Sequence, residues 1–197
     1  MGNVMITREH LEQSLAGHLP EQINLPVQGI IHAAVALIIR ENASGLQVLF
    51  MQRAENEKDP WSGNISFPGG KMENGDRDLR TAAERETWEE VGIDLSKARF
   101  LGRLSDRTGA HLPILVSCFI YLLEESGPLR LFQEEVQDAF WVPLADLTDP
   151  SRRGEKSVRF AGQAMIRPGI TLSHPGEPVL WGLTYLLVTD FITLLKL

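Results

Sequence analysis

The chain of 197 residues has a single cysteine, Cys118, so it can form no internal disulfide. Cys118 lies inside an apolar run and reads as a small core residue. The first ten residues lack the basic-then-apolar order of a secretory leader, which with the lone cysteine points to a cytoplasmic protein. The Asn-Xaa-Ser sequons at Asn42 and Asn64 are then chance matches. No stretch of about eighteen apolar residues is present, and the most apolar tail, Val179 to Leu197, is broken by Thr184, Thr189, Asp190 and Thr193, so no membrane span is expected. There is no dense Lys/Arg block, and the net charge of −7 argues against a nucleic-acid partner bound by counterion release. An anionic substrate would have to be drawn by local charge, which favours bound metal ions helped by particular Arg and Lys residues. Repeats, Cys/His zinc spacing, Walker-type loops and Gly-Xaa-Ser-Xaa-Gly elbows are all missing.

What is present suits one well-cored domain: 43% of residues are hydrophobic and 23% charged. Residues 1–28 read as a helix and linker packed on that domain, with Thr7 as cap, Leu11 and Leu15 four apart, and Pro20 as breaker of a helix over Ile6–Leu19. The domain proper spans 29–197. Its near-continuous apolar run Ile30–Ile39 suits a strand buried on both faces, and a turn over Glu41–Gly45 leads to a second strand, Leu46–Gln52, ending at Arg53. A polar stretch from Ala54 to Ser66 follows. Strands are expected at Phe100–Leu104 and Ile114–Leu123, separated by a loop with Asp106, Arg107 and His111, the last a loop residue and not a ligand. Trp141 and Val142 belong to a strand running into Val142-Pro-Leu144 and a helix. Gly162–Pro178 reads as hairpin and loop, and a final helix reaches Leu195.

The chemistry is concentrated in Phe67-Pro-Gly-Gly70 and the helix after it. Asp76 or Asp78 can cap that helix, and Gly92 sits where a left-handed terminator is expected. At about 100° per residue, Glu86, Glu89 and Glu90 fall on the side of Leu79, Ala82 and Ala83, so the inward stripe turns acidic in its second half. Like charges three and four apart repel, and burying them without partners costs more. A hard divalent cation, Mg²⁺ or Mn²⁺, relieves both by bridging carboxylates to a substrate phosphate.

Gly70, Asp76, Arg85, Glu86, Glu89, Glu90, Gly92 and Ile93 resemble the Nudix hydrolase box, G-x5-E-x7-R-E-U-x-E-E-x-G-U, where U is a bulky apolar residue. Asp76 replaces the first Glu, eight residues instead of seven separate it from Arg85, and Thr87 replaces an apolar residue. The resemblance implies an α/β Nudix fold, a mixed β-sheet sandwiched between helices. It also implies a metal-dependent pyrophosphohydrolase acting on a small nucleoside diphosphate derivative. Metal would be held by Glu86, Glu89, Glu90 and the Gly70 carbonyl, lowering the pKa of an attacking water. Arg85, pointing away from the acidic face, would orient the helix through Asp76, and the general base would be Glu135 or a member of the glutamate cluster. Leu49-Phe-Met-Gln-Arg-Ala54, Lys58, Gly63, Phe67-Pro-Gly-Gly70 and Trp181-Gly-Leu-Thr184 further resemble the coenzyme A pyrophosphatase branch, with Lys58 in place of an Arg. That places Arg53, Lys58, Gly69 and Gly70 at the substrate. ADP-ribose or a dinucleoside polyphosphate is the alternative substrate, and a non-catalytic nucleotide sensor the alternative of another class.

Overall fold

The computed structural model describes residues 6–23, 29–56, 59–109, 113–125 and 127–196. Thr7 caps α1 (Arg8–Ala16), its hydroxyl accepting from the His10 amide at 3.3 Å. The helix stops at Gly17, short of the Leu19 expected from the breaker at Pro20. Leu11 and Leu15 are buried against the sheet. Beyond α1, the Glu21 amide donates to Ser105 and the Ile23 amide to the Asp106 carboxylate, which fastens this segment to the rest of the chain.

β1 (Ile31–Asn42) turns at Ser44 into β2 (Gly45–Arg53), forming the expected hairpin. Next come β3 (Ile65–Ser66), β4 (Gly69–Lys71), α2 (Leu79–Val91), β5 (Arg99–Arg103), β6 (Arg107–Thr108) and β7 (Ile114–Leu123). β6 falls inside what the sequence suggested was a plain loop. β8 (Val136–Pro143), α3 (Leu144–Thr148), β9 (Arg153–Phe160), β10 (Gln163–Thr171), β11 (Val179–Trp181) and α4 (Gly182–Leu194) complete the chain. The main sheet runs β3-β2-β1-β7-β5, with β4 and β6 added on β1 and β7, and β8 on β2. Among the described strands only β1 and β7 pair in parallel, from Ile31 beside Ile114 to Arg40 beside Leu123, so the sheet is mixed.

Alternation along β1 explains why it is apolar throughout. Ala33, Leu37 and Ile39 enter a core with Leu11, Leu15, Leu187, Val188 and Phe191 from α1 and α4. Ala34, Ala36 and Ile38 enter a second core with Ala82, Ala83 and Val91 from α2. In β7, Cys118 and Ile120 face the first core and Phe119 and Tyr121 the second, so helices cover both faces of the sheet. Burial pushes the Cys118 thiol up to about 12, in keeping with its expected place in the core. None of the described helices is long and apolar enough to cross a membrane.

β9 and β10 form the expected hairpin, and β11, which the sequence did not suggest, extends it to a separate three-stranded antiparallel sheet. Half of β9 and most of the first part of β10 are exposed, so no apolar alternation marked them as strands.

Candidate active site

The glycine loop is stitched to the edge of β1. Ala36 donates to the Pro68 carbonyl at 2.9 Å, and Met72 donates to His32 at 2.9 Å. β4 therefore pairs with β1 at Ala33–Val35, short of the Ile39–Asn42 stretch that pairs with β2. Gly69 (φ 143°) lies so close to β1 that a Cβ there would sit 2.2 Å from the Ala34 carbonyl oxygen. A Cβ on Gly70 would instead meet the Glu86 carboxylate at 2.5 Å. The first glycine lets backbone meet backbone, and the second lets backbone meet an acidic side chain.

Asp78, not Asp76, caps α2, accepting from the Thr81 amide at 2.8 Å. Asp76 is buried and takes Arg85 through two bonds, Nε to Oδ1 at 3.0 Å and Nη2 to Oδ2 at 2.9 Å. The guanidinium holds the Asp76 carboxyl below the usual carboxylate range. The Glu73 amide donates to the Asp76 carboxylate and the Asp76 amide to the Glu73 carbonyl, a turn that fixes the acid at the end of the glycine loop. Thr87 is fully buried yet satisfied, its hydroxyl donating to the Ala83 carbonyl at 2.7 Å.

Two expectations about the helix are corrected. Glu89 does not face inward: its side chain is 53% exposed and pairs with Arg85 at 2.9 Å. Nor does Arg85 point away from the acidic face, because Nη1 also reaches Glu86 at 3.0 Å. The guanidinium spans the loop and the helix, and Glu89 is drawn out to it by the i,i+4 spacing.

Glu86, Glu90 and Glu135 are the carboxylates that converge, each offering an oxygen within 4.8 Å of the others. Glu90 is 3% exposed and accepts the Gly69 amide at 2.8 Å. Glu135 arrives on a segment that docks on the end of α2, where Arg130 donates to the Val91 carbonyl and Phe132 to the Glu90 carbonyl, both at 3.0 Å. That segment thus satisfies carbonyls α2 leaves open at its end. Gly92 (φ 73°) ends the helix, and a Cβ there would lie 2.9 Å from the Arg130 Cβ. The docking through Arg130 and Phe132 carried no sequence signal, since it is made by backbone groups.

Arg53 ends β2 and pairs with Asp59, Nη2 to Oδ2 at 2.7 Å, a partner that sequence reasoning missed. Lys58 and His111 lie outside the described residues. The Ala54 amide donates to the Glu135 carbonyl at 2.8 Å, which ties this strand end to the third carboxylate.

Burial pushes the Glu90 carboxyl up to about 8, against the Gly69 N–H that favours its charge and with the neighbouring Glu86 that opposes it; the charge of Arg53 pulls it down. Burial raises Glu86 as well, against Arg85. A cluster that concentrates hard oxygen ligands and buries one of them, which favours its protonated form, fits a divalent cation. The ion would displace that proton and neutralise the repulsion among the three carboxylates. Glu86, Glu90 and Glu135 are the side chains that would hold it, with Gly70 against Glu86.

Residues 31–160 match the NUDIX domain family. An uncharacterized protein of Schizosaccharomyces pombe is 43% identical over 110 residues, 52% of this chain and 33% of that protein. The uncharacterized Nudix hydrolase NudL of Yersinia pestis is 30% identical over 139 residues, 69% of this chain and 66% of its own length. The chain thus spans a third to two thirds of the length of these relatives. Among solved structures, the NUDIX domain of Shewanella oneidensis NrtR, complexed with ADP-ribose, superposes with a TM-score of 0.51 at 21% identity, covering 72% of this chain and 86% of that one.

Proposed function

The chain belongs to the NUDIX family, and from that premise we propose that it is a metal-dependent pyrophosphohydrolase. Its substrates would be nucleoside diphosphate derivatives, foremost coenzyme A or its thioesters. The observation that carries the reading is the convergence of Glu86, Glu90 and Glu135 beside the Gly69–Gly70 backbone. Mg²⁺ or Mn²⁺ bound there supplies positive charge to a phosphoryl oxygen and acidifies a water.

The chain's own residues do the rest. Arg85, held by Asp76, locks the loop to the helix and keeps Glu86 and Gly70 in register. The Gly69 N–H orients Glu90. Glu135, the exposed member of the trio, takes the proton from the attacking water as the oxygen–phosphorus bond forms and the bridging P–O bond breaks. Arg53, close enough for its charge to act on Glu90, meets the 3′-phosphate that coenzyme A carries and ADP-ribose lacks.

The deciding experiment is a panel of coenzyme A, acetyl-coenzyme A, ADP-ribose and diadenosine tetraphosphate, each with Mg²⁺ or Mn²⁺, with products resolved chromatographically. Release of 3′,5′-ADP from coenzyme A at the highest kcat/KM is expected. Turnover of ADP-ribose or the dinucleotide alone would remove the coenzyme A assignment and keep the hydrolase, while no turnover of any compound would overturn both.

A further inference from the structure

A cavity of about 270 Å³ lies between the main sheet, the β9–β10 hairpin and the start of α4. Its wall includes an aromatic trio: Trp61 packs on Phe160 with ring centroids 4.7 Å apart and on Trp181 at 5.7 Å. Met165 and Leu186 line it too, and Leu186 is 41% exposed. Besides the tryptophan indoles, Thr108, Arg167 and Tyr185 bring the only polar side chains among the described lining residues, and no carboxylate or side-chain amide is there. The rest of the wall is aromatic, aliphatic or glycine, which suits a hydrocarbon chain that needs no hydrogen-bond partner. The Trp181 indole N–H is already donated to Asn64 at 2.9 Å, so that ring offers the cavity only its apolar surface.

The cavity is joined to the acidic cluster by consecutive contacts. Ala54 donates to the Glu135 carbonyl and Arg53 to the Asn64 carbonyl, and the Asn64 side chain holds Trp181. Trp61 belongs to the same loop, which Asp59 ties to Arg53 and the Ala161 amide ties to the hairpin through Pro60. This chain of contacts runs from the segment carrying Glu135 to Trp61 and Trp181 in the cavity wall. We propose that the cavity is the acyl subsite of the enzyme, taking the hydrocarbon chain of a coenzyme A thioester and setting a preference for longer acyl groups over acetyl.

This inference rests on the coenzyme A reading. Its test compares kcat/KM for free, acetyl- and octanoyl-coenzyme A in the wild-type protein and in Leu186→Asp, which sets a charge at the partly exposed rim. A parallel titration follows tryptophan fluorescence with octanoyl-pantetheine, which has no pyrophosphate. Burying methylene groups should favour octanoyl over acetyl by at least about tenfold in the wild type, and Leu186→Asp should cut that ratio at least about fivefold. Octanoyl-pantetheine should quench the fluorescence, and less so in the variant. If coenzyme A is cleaved with no dependence on chain length, or the ratio is unchanged in Leu186→Asp, the subsite is wrong and the hydrolase reading stands. Quenching by octanoyl-pantetheine with no hydrolysis of any coenzyme A compound supports an apolar subsite and overturns the reading beneath it.

Discussion

At Glu90 two demands meet in one carboxyl group: it is buried, yet it accepts the Gly69 amide and sits beside two other acids. Glu90→Gln keeps the shape and removes the charge, and should lower turnover by about a thousandfold or more without unfolding the protein, as steady-state assay and circular dichroism would check. The same variant tests the pH dependence. Without metal, the folded protein keeps the Glu90 proton up to about 8, while an unfolded glutamate loses it near 4.5, so the folded state binds the extra proton between these values. Its contribution to stability is full below the lower value and is lost as pH rises to the upper one. Denaturant titrations in chelator should show stability falling across that window, with a shallower fall in Glu90→Gln. The two glycines should part in a different way. Gly69→Ala forces a side chain into the β1 backbone and should destabilise the fold by several kcal/mol, while Gly70→Ala displaces only the Glu86 carboxylate and should stay folded but lose activity. Arg53→Ala should raise KM for coenzyme A about tenfold or more, since a charge-assisted contact is worth about 1.5–3 kcal/mol, and should affect ADP-ribose less. Asp59→Asn keeps the cation while loosening its loop, and separates phosphate contact from loop anchoring.

Helix α2 works as an element because both its ends are fastened. Asp78 and the Asp76–Arg85 pair hold the first part, while Gly92 and the 127–135 segment hold the last turn. Gly92→Ala puts a side chain in the left-handed region against Arg130, so it should cost about 1–2 kcal/mol and loosen the approach of Glu135. Thermal denaturation would read the first effect, and a fall in kcat larger than any rise in KM the second. The start and end of α2 were legible, because capping and termination are decided within a few residues. The outward turn of Glu89 was not. A helical projection places it beside Glu86 and Glu90, and only the position of the Arg85 guanidinium, set by Asp76 nine residues away, draws it out.

For the whole molecule, the acidic cleft forms only when β1, β4, α2 and the strand ends of β2 and β8 are assembled, so ions binding it stabilise the folded state by mass action. Millimolar Mg²⁺ or Mn²⁺ should raise Tm by a few degrees in the wild type and by less in Glu90→Gln, as differential scanning fluorimetry would show. The sequence by itself determined the two-sided burial of β1, the β1–β2 hairpin, the glycine loop and the acidic helix after it, because each follows from periodicity and backbone preferences over a dozen residues or fewer. Only the tertiary structure decided that Glu135 completes a trio with Glu86 and Glu90, that Asp59 engages Arg53, and that Trp61, Phe160 and Trp181 enclose a cavity. Those groups are 6 to more than 100 positions apart, and strand pairing and backbone docking bring them together without leaving a pattern in the side chains.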